Sequence, residues 1–183
     1  MNLAHLFRRR DPAAQALYGE IVEQARRPAF YLACGVADTV QGRFEMIALH
    51  MFLVLHRLKR EGKAGAALAQ DLFDLMFADM DRNLRELGTG DLAVGKRIKT
   101  LAQGLYGRVV AYERGLSPDQ DDMLRDSLSR NVFAGTPVHG EGLDGLTDYL
   151  RRAADSLAAQ DYAEIARGRI AFVPPPAAAG VAP

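Results

Sequence analysis

Thr39-Val-Gln-Gly-Arg43-Phe-Glu45-Met-Ile-Ala-Leu-His50-Met-Phe-Leu-Val-Leu-His56-Arg57-Leu-Lys-Arg-Glu61 is the least polar long run of the chain. At 100° per residue its apolar side chains surround nearly the whole circumference of a helix. One narrow polar stripe remains, formed by Arg43, His50 and Arg57 at i, i+7 and i+14. A helix with so little polar surface must be covered on most sides, so the spacing predicts a central, largely buried helix. The uncharged core of the run, Met46 to Leu55, is about half the length needed to cross a bilayer.

The flanking sequence supplies the helices that would cover it. Upstream, Asp11-Pro12 pairs an N-cap with proline at the first helical position, and Ala13, Leu17, Ile21, Val22 and Ala25 share one face. Arg26-Arg27-Pro28 ends that helix, and residues 28–38 read as a loop with Phe30 and Tyr31 turned inward. Downstream, residues 66–87 are amphipathic. Leu72, Phe73, Met76, Phe77, Met80, Leu84 and Leu87 fall in an arc of about 140°, with Asp71, Asp74 and Asp81 opposite and Leu75 stranded on the polar side. Gly88 fits a C′ glycine, and Asp91 an N-cap for a helix with a core face of Val94, Ile98, Leu101, Ala102, Leu105, Val109 and Tyr112. Ser117-Pro118-Asp119-Gln120 reads as a capping box opening a helix to residue 133. After a Gly-rich loop at 134–142, helices are expected over 143–160 and 161–172. The Pro/Ala tail, 174–183, is too poor in packing groups to fold. No strand, repeat or heptad array is apparent. The expectation is an all-α fold, a single domain over 11–173 with about six to seven helices.

Composition excludes several classes of function. The chain has 183 residues, 23 basic and 23 acidic, and a formal net charge of zero, unlike a general nucleic-acid binder. Its charges are segregated, with acids at 71–81 and 119–122 and bases at 8–10 and 96–99. A single cysteine, Cys34, excludes an internal disulfide and a cysteine-rich zinc site. The first ten residues lack the order of a secretory signal, so a reducing, cytoplasmic location is expected.

A search for chemistry yields little. Gly90-Asp-Leu-Ala-Val-Gly95-Lys96 matches the spacing of a phosphate-binding P-loop. However, a helix precedes it, Arg97 stands where the magnesium-binding hydroxyl belongs, and Asp91 would repel phosphate. His5, His50, His56 and His139 show no metal-ligand spacing, and Asp79 and Asp81 diverge by about 160° on a helix. Cys34 has no visible activating partner. No catalytic residue, metal or cofactor is assigned. An alternative is a small helical ligand- or metal-binding protein or enzyme using the Arg43/His50/Arg57 stripe with the two acids.

Two features suit binding better. Met46, Met51, Met76 and Met80 lie on successive helices with Phe44, Phe52, Phe73 and Phe77, and would serve either as core or as an adaptable groove for apolar segments. Leu3, Leu6 and Phe7, followed by Arg8-Arg9-Arg10, form a basic amphipathic segment (1–10) suited to an anionic membrane surface.

The motifs Ala37-Asp-Thr-Val-Gln-Gly-Arg-Phe-Glu-Met46 with Leu49-His50, Phe77-Ala-Asp-Met-Asp-Arg-Asn-Leu-Arg-Glu-Leu-Gly88 running into Gly90-Asp91-Leu92, Lys96-Arg-Ile-Lys99 and Tyr106-Gly-Arg108 occur in that order. Together they resemble the ubiquinol–cytochrome c chaperone family over about residues 28–115. The resemblance implies an all-α assembly factor without catalysis, whose client is newly made cytochrome b, or another subunit, of the cytochrome bc1 complex. A bacterial-type member would work at the cytoplasmic face of the inner membrane. Mitochondrial relatives act with a small partner protein. The resemblance raises the groove reading for the Met/Phe face. The matching polar positions are Asp38, Thr39, Arg43, Glu45, His50, Asp79, Asp81, Arg85, Glu86, Asp91, Lys96 and Arg108. Among these, Asp38 or Thr39 would cap the central helix, and Arg43, Glu45, Asp79 and Asp81 would form buried ion pairs first and client contacts second.

Overall fold

The Asp11 carboxylate accepts the amide of Ala13 at 2.9 Å, and Pro12 follows, so the first helix, α1, spans Pro12–Ala25 as the sequence predicts. The structure, a computed structural model, describes residues 11–86, 88–117, 119–134 and 140–177. The proposed membrane segment, Leu3 to Arg10, lies outside the described residues.

Six helices of eleven residues or more carry the architecture: α1, α3 (Val40–Leu58), α4 (Gly62–Glu86), α5 (Asp91–Gly115), α6 (Asp121–Asn131) and α7 (Gly140–Ala159). Two short ones, α2 (Pro28–Leu32) and α8 (Tyr162–Ile165), complete it. The described residues form no strand, and the fold is all-α. As the pattern predicts, α3 is central and packs against α1, α4, α5 and α7. The side chains from Phe44 to Val54 along α3 are all buried. Thr39 caps α3 by accepting the Gly42 amide at 3.1 Å.

Several expectations are corrected. Residues 28–38 are not all loop, because Pro28 starts α2. Arg26 is the C-cap of α1, and Arg27, extended at ψ 127°, is the N-cap of α2 before that proline, as the steric rule for pre-proline residues requires. Phe30 is turned inward, and the Tyr31 hydroxyl donates to the Ala25 carbonyl at 2.9 Å. A left-handed Gly35, φ 71°, belongs to the turn toward α3. The helix expected from residue 66 begins at Gly62, after a 3-10 turn over Lys59–Glu61. Leu75 is buried, and α4 packs against α5 as well as against α1 and α3. Gly90, not Asp91, is the N-cap of α5, and Asp91 instead accepts the Arg85 guanidinium.

The capping box at 117–120 opens no helix. Asp119 is left-handed, φ 64°, and α6 starts at Asp121. Arg151 of α7 donates to the carbonyls of Gly115 and Leu116 at 3.0 and 3.3 Å, so a side chain satisfies the C-terminus of α5. The start of α7 lies three residues before the expected 143. The final helix is much shorter than 161–172: Asp161 caps it through the Ala163 amide at 2.9 Å, and left-handed Gly168, φ 82°, packs against Ala13 and Ala16 of α1. From Arg169 to Ala177 the chain has no helix or strand, and Ile170, Phe172 and Val173 pack on the core. Pro174 to Ala177, expected to be unfolded tail, continue this strap, with Pro176 lying over Gly145 of α7.

Candidate functional site

Arg43, His50 and Arg57 share a stripe of α3 but do not converge on a common site. Arg43 is exposed and pairs with Asp38 at 2.6 Å. Arg57 is buried, pairs with Glu61 at 2.5 Å and donates to the Gln160 carbonyl at 2.9 Å. His50, between them, is fully buried. Its Nδ1 faces the Met46 carbonyl at 2.7 Å, which can only accept, so Nδ1 carries the proton and Nε2 accepts from the Tyr149 hydroxyl at 2.8 Å. That hydroxyl in turn accepts from Gln24 Nε2 at 3.0 Å. Burial, partly offset by the bond to Met46, pushes the His50 imidazole down to about 4 and keeps it neutral. His50 and Arg57 therefore lie at the seam between α3, α7 and the residues that follow it, while Arg43 stays on the surface. Asp79 and Asp81 bind elsewhere.

Glu45 and Arg108 form the one ion pair of the predicted polar set that is largely desolvated. Arg108 Nε and Nη2 donate to the two Glu45 oxygens at 2.6 and 2.5 Å, and the Glu45 side chain is 1% exposed. Gln41 Nε2 also donates to Glu45, at 2.6 Å, and the guanidinium lies 5.7 Å from the Phe44 ring centroid. Buried ion pairs among Arg43, Glu45, Asp79 and Asp81 do not form, because these residues point to different neighbours. Asp79 accepts from Tyr18 at 3.1 Å and from Arg82, while Arg85 bridges Asp81, at 2.6 Å, and Asp91 on the surface. Lys96, exposed with Arg97 and Lys99, stands on the outer side of α5.

The Met/Phe face is mainly core. Phe44, Met46, Met51, Phe52, Met76 and Phe77 are buried, because α1, α4 and α5 close over that side of α3. Met80 and Phe73 remain half-buried, and Phe73 lines a cleft of about 440 Å³ with Leu55, Ala66 and Ala69. Cys34 is buried, and desolvation pushes its thiol up to about 11, which keeps it unreactive. Among the described residues, no group of three His, Cys, Asp or Glu side chains could hold a metal. No described helix is long and apolar enough to cross a membrane.

An open groove lies at the corner joining α2 to α3. A groove of about 470 Å³ runs between Leu32–Gly35, Thr39–Gly42, Val132–Ala134 and the start of α7 at Glu141–Gly142. Leu32, on its wall, is 80% exposed, and Val40, beside the lining residue Thr39, is 75% exposed. These are the two most exposed large hydrophobic side chains among the described residues, and they flank this groove. Sequence reading missed both: an outward Leu in a one-turn helix has no periodic pattern to reveal it, and Val40 is the first residue of a helix that is apolar nearly all round.

Comparisons with known proteins agree with this architecture. The ubiquinol-cytochrome C chaperone family model matches residues 32–172. The crystal structure of the Cbp3 homolog from Brucella abortus superposes with a TM-score of 0.81 at 38% identity, covering 94% of this chain and 97% of that one. The Mus musculus ubiquinol-cytochrome c reductase complex assembly factor 1 is 26% identical over 140 residues, 76% of this chain and 47% of the relative. The Xenopus laevis protein of that name is 25% identical over 145 residues, 79% of this chain and 72% of the relative. The chain thus spans about half the length of the mammalian relatives it matches. With most of its length covered by the family model and its fold shared with a solved homolog, the chain belongs to the ubiquinol-cytochrome C chaperone family.

Proposed function

We propose that this chain is an ATP-independent assembly chaperone for the cytochrome bc1 complex that holds newly made cytochrome b at the cytoplasmic face of the inner membrane. Family membership and the names of its relatives support the assembly role. The structural observation that carries the holding role is the apolar corner at Leu32 and Val40, which continues directly into the motif-bearing start of α3. A client rich in apolar helices would offer complementary surface there. Half-buried Phe73 and Met80 would offer further apolar contacts on α4, and Arg43, Asp81, Arg85 and Lys96 would supply polar ones. The basic segment 1–10 would add contact with anionic lipid.

A photoreactive residue placed at Leu32 or Val40 in cells tests this reading. It should crosslink to newly made cytochrome b, whereas the same probe on the outer face of α6, at Arg130, should not. Equal labelling from all positions, or none from Leu32 and Val40, would remove the corner as the holding surface. Buried Phe52 is unsuitable as a probe site, because a bulky photoreactive group there would disrupt the core.

A further inference from the structure

The C-terminal strap is bound to the rest of the chain as an extended peptide is bound by a receptor. Gln160, at the end of α7, reads both backbone groups of one residue: its Nε2 donates to the Ala171 carbonyl at 2.6 Å, and its Oε1 accepts the Ala171 amide at 3.0 Å. Two residues on, Gln24 of α1 donates to the Val173 carbonyl at 3.0 Å. Between these anchors the Phe172 ring meets His50 edge-on, with centroids 5.3 Å apart at 81°. Phe30 and Tyr149 pack against the same His50, at 5.3 and 5.6 Å, so an aromatic and imidazole floor lies under the strap. Ile170 and Val173 pack on the core, the Ala171 side is exposed, and Pro175 and Pro176 continue over α7. Backbone groups read by side-chain amides, with alternate side chains in apolar contacts, are the elements of sequence-tolerant recognition of extended segments.

We propose that the cleft between α1 and α7, floored by His50, Phe30 and Tyr149 and edged by Gln24 and Gln160, is a binding site for an extended apolar peptide segment bearing an aromatic residue. In this structure the chain's own residues 169–177 fill it. When the strap lifts, a matching segment of an incompletely folded client takes its place, reading the same two glutamines. The tether sets the exchange threshold. A segment attached to its own cleft acts at an effective concentration on the order of millimolar, so only a client presented locally, or one binding more tightly than the strap, displaces it. The proline run lowers the entropy lost on docking, which favours the closed form between clients. The proposal rests on the reading that the chain holds apolar client segments, but it is tested without cytochrome b and fails separately from that reading.

The probe is a fluorescein-labelled peptide of residues 169–177, Arg-Ile-Ala-Phe-Val-Pro-Pro-Pro-Ala, added to the full chain and followed by anisotropy. The parent protein should bind it weakly. Ala171→Pro removes the amide that Gln160 accepts, and Phe172→Ala clears the floor at His50. Each should raise probe affinity at least tenfold. Adding Gln160→Ala to either should return affinity to the parent level, because the incoming peptide needs the same amide. Opened variants that keep the helical circular dichroism and a cooperative melt, yet bind no better than the parent, would overturn the proposal. So would retention of tight binding after Gln160→Ala. Loss of the fold in both Ala171→Pro and Phe172→Ala would overturn it as well, since a strap that the core cannot release is core.

Discussion

His50 is a titratable ring with no access to water, and its neutrality has a consequence for stability. In the folded chain burial holds it near 4, while in the unfolded chain it returns to about 6.5. The unfolded state therefore takes up the proton first as pH falls. Stability from this group is complete above about pH 6.5 and is lost progressively toward pH 4, by roughly 3 kcal/mol in all. Urea unfolding from pH 7.5 to 4.5 should show that fall, and His50→Gln should flatten it while costing about 2 kcal/mol at pH 7. An equally steep pH dependence in His50→Gln would assign the effect elsewhere. Glu45 makes a second prediction. Arg108→Ala leaves its buried carboxylate without its cation and should cost about 3 kcal/mol, whereas Glu45→Met with Arg108→Met should lie close to the parent. Denaturant midpoints of the two singles and the double decide it. The sequence singled out His50 as part of the polar stripe of the central helix, and Glu45 among the polar positions that match the family motifs. It did not reveal that Tyr149 and Arg108 are their partners, which lie 99 and 63 residues away and meet them only through the packing of α7 and α5.

Among the elements, α3 was the most legible, because its apolar circumference leaves only one kind of environment for it. Legibility failed where a local rule had two outcomes. Pro28 reads equally as a stop for α1 and as a start for α2, and only the burial of Phe30 favours the helix. Ser117 to Gln120 has the residues of a capping box, yet the close approach of Gly115 to Leu124, where an added Cβ would lie 2.8 Å from the Leu124 Cα, forces a tight reversal there instead. The Met/Phe face was ambiguous for the same reason: periodicity says that a face is apolar, but not what covers it. The corner groove depends on such a close approach, with Gly142 of α7 against the Cys34 carbonyl, where any Cβ would collide with the oxygen. Gly142→Ala should push α7 away from that loop, costing about 2 kcal/mol and reducing capture at Leu32, whereas Gly95→Ala on the open side of α5 should add about 0.5–1 kcal/mol of stability and leave capture unchanged. Melting temperatures and the crosslinking yield from Leu32 measure the two effects.

Across the whole molecule the zero net charge hides a division of labour. Exposed Lys96, Arg97 and Lys99 stand near the start of α5, while exposed Asp119, Asp121 and Asp122 stand at the start of α6. The apolar corner lies at the start of α3, and the strap runs along α7 from Gln160 to Gly145. The all-α class and the central helix were readable because hydrophobic periodicity is a local property. The strap was not, because Arg169 to Ala177 lacks any period and gains its place from side chains of α1 and α7. The central claim concerns a client, and its most direct measurement is the reduced-minus-oxidised haem spectrum of membranes from a strain lacking the gene, grown under respiratory conditions. The account predicts loss of most of the cytochrome b signal of the bc1 complex, restored by the parent gene and only partly by Leu32→Gln with Val40→Gln. An unchanged cytochrome b signal in the deletion strain would contradict it.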